Sequence, residues 1–154
     1  MTSADHALAD RLVHAIDAAP TLDDALRATV SGLADSAERS DWVGIYLLDG
    51  ATLVLHNEIG KPTPHTRIPL SQGLCGAAAR ERRTIVVDDV REDPRYLACS
   101  LTTRSELVVP ILGNRGQVFG EIDLDSDQPA AFGPDARRLV ETAAAALAAR
   151  WDRV

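Results

Sequence analysis

Apolar residues in this chain recur at helical spacing near the start, alternate with polar ones through the middle, and return to helical spacing at the end. Leu8, Leu12, Val13, Ala15 and Ile16 predict an amphipathic helix over residues 5–18, stopped by Pro20-Thr21. Thr21 and Asp24 then make a capping-box-like start for a second helix, whose apolar face carries Leu22, Ala25, Leu26, Val30 and Leu33. The polar run at 38–41 closes that helix near residue 37. Residues 42–48 and 52–58 read as paired strands about Asp49-Gly50, a hairpin-turn signal. Two prolines make 61–67 a loop, and a short strand follows at 67–70. The pattern then predicts a helix over 74–82, a strand at 84–87, and a loop through Asp93-Pro94 with a helical turn at 95–99. Two more strands, 105–112 and 117–125, meet through Gly113-Asn114-Arg115-Gly116. Pro134, suited to a first helical turn, opens a last helix running to about Trp151.

This order predicts an α+β fold in one domain spanning residues 1–154. An antiparallel sheet of five or six strands, within 41–126, would carry the N- and C-terminal helices (about 5–37 and 134–151) packed on one side. A chain of 154 residues can bury such a core without disulfides. The net charge of -7 leaves no basic stripe to neutralise phosphates, which argues against nucleic acid and against an anionic membrane surface as partners. An early Asp5 and the lack of any long apolar run predict a soluble, cytoplasmic chain. In that compartment a bond between its two cysteines, Cys75 and Cys99, would be transient and catalytic rather than structural. His6, His14, His56 and His65 are scattered without metal-ligand spacing, so neither a metal nor a cofactor is expected.

Alternation assigns side chains to faces. Val43, Ile45 and Leu47 fall on the core face of the first long strand, while Trp42, Gly44 and Tyr46 share the other, two aromatics flanking a glycine notch. In the last strand Val118, Gly120, Ile122 and Leu124 fall on one side, with Phe119, Glu121, Asp123 and Asp125 opposite. A row of carboxylates is ordinarily solvated; the sharper reading is a pocket for an ammonium or a protonated ligand. Glu106 stands between the same two readings. Cys75 falls in the first turn of a helix, where the dipole and free N–H groups would lower its pKa below about 8.5. Cys99 ends the turn at 95–99, in a loop from which a thiol can move.

Taken together, Asp41-Trp42-Val43-Gly44-Ile45-Tyr46-Leu47, Arg67-Ile68-Pro69, Gly73-Leu74-Cys75-Gly76, Ala98-Cys99, Ser105-Glu106-Leu107-Val108-Val109-Pro110 and Ile122-Asp123-Leu124-Asp125-Ser126 resemble the small-molecule-binding GAF domain family. Within it they resemble the free methionine-(R)-sulfoxide reductases. Gly-x-Cys-Gly is common among GAF domains; the set of Trp-x-x-x-Tyr, Ala-Cys, Ser-Glu-Leu-Val-x-Pro and Asp-x-Asp is more specific. The resemblance implies that Cys99 is the catalytic cysteine, attacking the sulfoxide sulfur and ending as a sulfenic acid. It implies that Glu106, Asp123 and Asp125 hold the substrate and protonate its oxygen, and that Trp42 and Tyr46 wall in the methyl and sulfoxide end. The family often carries a third cysteine ahead of Arg-Ile-Pro; here that position is His65. Resolution of the sulfenic acid then falls to Cys75, if its Cα comes within about 7 Å of that of Cys99, or to an external thiol. The implied partners are free methionine sulfoxide and a thioredoxin-type reductant. The alternative is a non-catalytic GAF sensor for a small ligand, or a domain holding a tetrapyrrole through a cysteine. Leu139, Val140 and the alanines at 143–146 also offer a small-residue face for a homodimer.

Overall fold

The computed structural model describes residues 2–36, 40–98 and 100–154. The helices form where capping and periodicity direct them. α1 (Ser3–Ala18) opens on a capping box in which Thr2 Oγ accepts from the Asp5 N–H and the Asp5 carboxylate accepts from the Thr2 N–H. α2 (Leu22–Ser36) starts on a related cap, with Thr21 Oγ accepting from the Asp24 N–H at 3.0 Å and the Asp24 carboxylate accepting from the Thr21 hydroxyl at 2.9 Å. Then come the hairpin β1 (Trp42–Asp49) and β2 (Thr52–Gly60), β3 (Arg67–Pro69), α3 (Gly73–Glu81) and β4 (Ile85–Val87). β5 (Ser105–Leu112), β6 (Val118–Ser126) and α4 (Pro134–Asp152) complete the chain. The helical turn expected at 95–99 lies earlier, as a 3-10 turn over Val90–Glu92, because the Asp89 side chain caps that segment by accepting from Arg91 N–H.

The strands form one six-stranded sheet in the order β3-β2-β1-β6-β5-β4, every neighbouring pair antiparallel. α1, α2 and α4 cover one side, packing Leu12, Ile16, Leu26, Val30 and Leu147 against Val43, Ile45, Ile122 and Leu124. α3 lies on the other, with Leu74, Cys75 and Ala77–Ala79 against Tyr46, Leu53, Ile68 and Val108. Its small residues let it approach closely: a Cβ at Gly76 would fall 2.6 Å from the Leu70 carbonyl oxygen.

Two expectations need correcting. The β5–β6 pairing shifts register beside Phe119, since Ile111 faces Gly120 while Leu112 faces Val118. Phe119 therefore packs on the helical side, stacked on Trp151 at 4.7 Å, and Val118 on the α3 side. The small-residue face of α4 is also largely internal: Leu139, Val140, Ala143 and Ala144 are buried within the chain's own core, Ala146 is half-buried against it, and Ala145 is exposed. The four buried residues are not free to join two copies.

Candidate functional site: a buried acid cluster beside an open cavity

Beyond the bulge, β6 alternates strictly and directs Ile122 and Leu124 to the helical side and Glu121, Asp123 and Asp125 to the α3 side. Across the ladder β1 sets Tyr46 opposite Glu121, Gly44 opposite Asp123 and Trp42 opposite Asp125. From the other flank β5 sets Glu106 opposite Asp125. The solvated outer face that is usual for such a row does not occur, because α3 and the loops cap it. Glu121 is 0 % exposed, Asp123 1 %, Asp125 4 % and Glu106 4 %.

Burial governs the electrostatics. It pushes the Glu121 and Asp125 carboxyls well above the ordinary carboxylate range, with the neighbouring Asp123 adding to both, and it raises Asp123 as well. These groups are driven toward the protonated form, in which a carboxyl can donate as well as accept. Cys75 reaches down from α3, and its thiol donates to Asp123 Oδ2 at 3.3 Å. The thiol is pushed up by burial and then by Asp123, Glu121 and Glu106. This reverses the expectation from its place at the start of a helix, since desolvation and facing acids outweigh the helix dipole.

The glycine notch is closed as well. A Cβ at Gly44 would fall 2.3 Å from the Trp42 indole, so that ring lies across Gly44 and fills the gap toward Tyr46, 6.3 Å away. Tyr46 is fully buried and donates its hydroxyl to the His65 carbonyl at 2.7 Å. The open space lies on the far side of the indole. There a cavity of about 110 Å³ is bounded by Trp42, Asp41, Asp125 and Asp127, by the 61–63 loop, and by Ser100, Thr102 and Thr103. Lys61, the chain's only lysine, stands on its wall. Among the described residues, Trp42 Nε1 and Asp125 Oδ1 on this wall have no hydrogen-bond partner, nor do Asp123 Oδ1 and both oxygens of Glu121 behind it. Orphaned buried donors and acceptors of this kind are costly unless something else meets them.

The structure thus joins Cys75, Glu106, Asp123 and Asp125 in one cluster, puts Trp42 and Asp125 on the open cavity, and keeps Tyr46 in the core. Cys99 lies outside the described residues. Its neighbour Ala98 is held by His65, whose Nε2–H donates to the Ala98 carbonyl at 2.8 Å. The residue standing where a third cysteine is common therefore ties down the loop.

The GAF domain family model matches residues 21–151. The chain belongs to the GAF domain family. A free methionine-R-sulfoxide reductase of Saccharomyces cerevisiae is 39% identical over 88 residues, 55% of this chain and 48% of that relative. The chain spans about half the length of the curated relatives it matches. Among solved structures, a free methionine-R-sulfoxide reductase from Neisseria meningitidis in complex with its substrate aligns with a TM-score of 0.89 and 31% identity, over 97% of this chain and 90% of that one. A putative GAF sensor protein from Burkholderia vietnamiensis aligns equally well, with TM-score 0.89 and 32% identity over 97% and 96%.

Two parts of the site in this GAF domain escape a reading by pattern. Glu121 belongs to the carboxylate row yet sits deeper than the acids singled out from it; alternation was its signal, and the bulge that fixes its depth has none. Asp41, Lys61, Thr63 and Thr102 reach the cavity from loops, where no periodicity marks them.

Proposed function

We propose that this GAF domain reduces free L-methionine-(R)-sulfoxide to methionine. The observation that carries the reading is the set of buried carboxyls, driven toward their protonated forms, directly behind a cavity with an unpartnered indole N–H and an unpartnered Asp125 oxygen on its wall. The relatives named for this activity support it. A sulfoxide oxygen leaves its sulfur only when protonated, and Glu106, Asp123 and Asp125 are the groups to supply the proton. Trp42 would face the S-methyl end. The Cys99 thiolate attacks the sulfoxide sulfur, the S–O bond breaks as the oxygen passes to the cysteine, and methionine leaves with Cys99 as a sulfenic acid. The Cys75 thiol then condenses with it, and Asp123, hydrogen-bonded to that thiol, relays its proton to the departing hydroxyl, so that a disulfide forms and water leaves. A thioredoxin-type dithiol restores both thiols.

The second reading, a sensor that binds a small ligand without turnover, is favoured by the likeness to the Burkholderia protein. NADPH consumption with thioredoxin and its reductase separates the two. Turnover of the R epimer alone, lost in Cys99→Ser and slowed in Cys75→Ser, is expected. Neither turnover nor release of one equivalent of methionine would leave the sensor reading.

A further inference from the structure

The acid cluster has a property that sulfoxide reduction does not require. Cys75 Sγ, one oxygen of Glu106 and one of Asp123 all lie within 4.8 Å of one another, and all three residues are buried. They come from α3, β5 and β6, far apart in sequence, so no ligand-spacing motif announces them. Zinc bonds of about 2.3 Å to sulfur and 2.1 Å to oxygen give a tetrahedral sulfur–oxygen edge of roughly 3.6 Å. The Cys75 Sγ to Asp123 Oδ2 separation is 3.3 Å. Independently, Asp123 Oδ1 and, on the adjoining Asp125, Oδ1 are buried and have no hydrogen-bond partner among the described residues. Buried carboxyl oxygens left unmatched beside three ligand-type atoms are what an unfilled cation position leaves.

We propose that Cys75, Glu106 and Asp123 form a site for a divalent metal of the zinc class, with a water completing the tetrahedron. Binding exchanges the thiol proton and any carboxyl protons for the metal, with no change of oxidation state. Thiolate and carboxylate donors together select a borderline ion over magnesium or calcium, which take oxygen alone. An occupied site engages the very side chains proposed to hold sulfoxide and to recycle it, so the metal would act as a reversible block.

Cobalt(II), a coloured stand-in for zinc, tests this without turnover and so independently of the reductase reading. The metal-free full chain, kept reduced with a phosphine, is titrated with cobalt(II) while the thiolate-to-cobalt band is followed. Saturation at one equivalent and displacement by zinc are expected. The band is expected to persist in Cys99→Ser, to vanish in Cys75→Ala, and to need at least about tenfold more cobalt in Glu106→Gln and Asp123→Asn. Far-ultraviolet circular dichroism establishes that each variant is folded, and the two amide variants carry the test should Cys75→Ala not fold. No thiolate band, a band that survives Cys75→Ala, or unchanged affinity in both amide variants would overturn the site.

Discussion

The two faces of β6 make opposite choices with the same backbone. Toward α1, α2 and α4 the strand offers Ile122 and Leu124 to an apolar core; toward α3 it offers Glu121, Asp123 and Asp125 to a region just as closed to solvent. The helical face follows the ordinary rule that burial of apolar area stabilises a fold. The α3 face breaks it, with carboxyls held where their charged forms are disfavoured and several of their oxygens unmatched. A fold carries such a face only when the first face stabilises it enough to allow it, and the unmatched groups are where the proposed chemistry would be done.

Substitutions on the two faces should therefore separate activity from stability. Asp123→Asn is expected to lower kcat/KM for methionine sulfoxide on the order of a hundredfold or more, the scale of a lost proton donor, while the melting temperature holds or rises. A matching loss of stability would break the contrast. On the opposite face, Leu124→Ala is expected to cost about 2–5 kcal/mol in denaturant unfolding, with activity per folded molecule retained. Glu121→Met, replacing an unmatched carboxyl with an apolar chain, should stabilise the metal-free protein by about 1–3 kcal/mol.

pH sharpens the same contrast. Glu121 ionises near 4.5 when unfolded and well above that when folded. Its contribution is thus fully present below pH 4.5 and is lost as pH rises through the raised folded value, at up to about 1.4 kcal/mol per pH unit. The melting temperature of Glu121→Gln, measured against the parent from pH 4 to 8, should fall less with rising pH; parallel curves would contradict the burial effect. The smallest effect belongs to the stacked Phe119–Trp151 pair, where Trp151→Leu should cost about 0.5–1.5 kcal/mol beyond its lost area.

Much of this was legible in the chain. Caps at Thr21 and Pro134 and the Asp49-Gly50 turn placed elements within a residue or two. Alternation placed Asp123 and Asp125 on the correct face, and the Ser-Glu and Asp-x-Asp motifs marked the acids that cluster. What escaped was set by tertiary contact. Whether the acid row met water or protein depended on how closely α3 docks, which turns on contacts such as Gly76 over the Leu70 carbonyl. The face of Phe119 depended on a register shift that leaves no trace in polarity. The thiol at Cys75 runs against its local signal because a helix start acts locally, whereas burial and the acids that oppose it arrive with two strands, β5 and β6.

Lys61 has a practical consequence. A chain of 154 residues with fifteen arginines and one lysine places its sole side-chain amine on the cavity wall, beside Asp41, Asp125 and Asp127. Acylating reagents that leave guanidinium groups untouched will therefore modify, besides the α-amine, one side-chain amine, and that one on the cavity wall. Peptide mass spectrometry of the acylated protein, read at Lys61, becomes a direct occupancy gauge, since whatever fills the cavity shields the amine and slows its modification, whether or not any turnover follows.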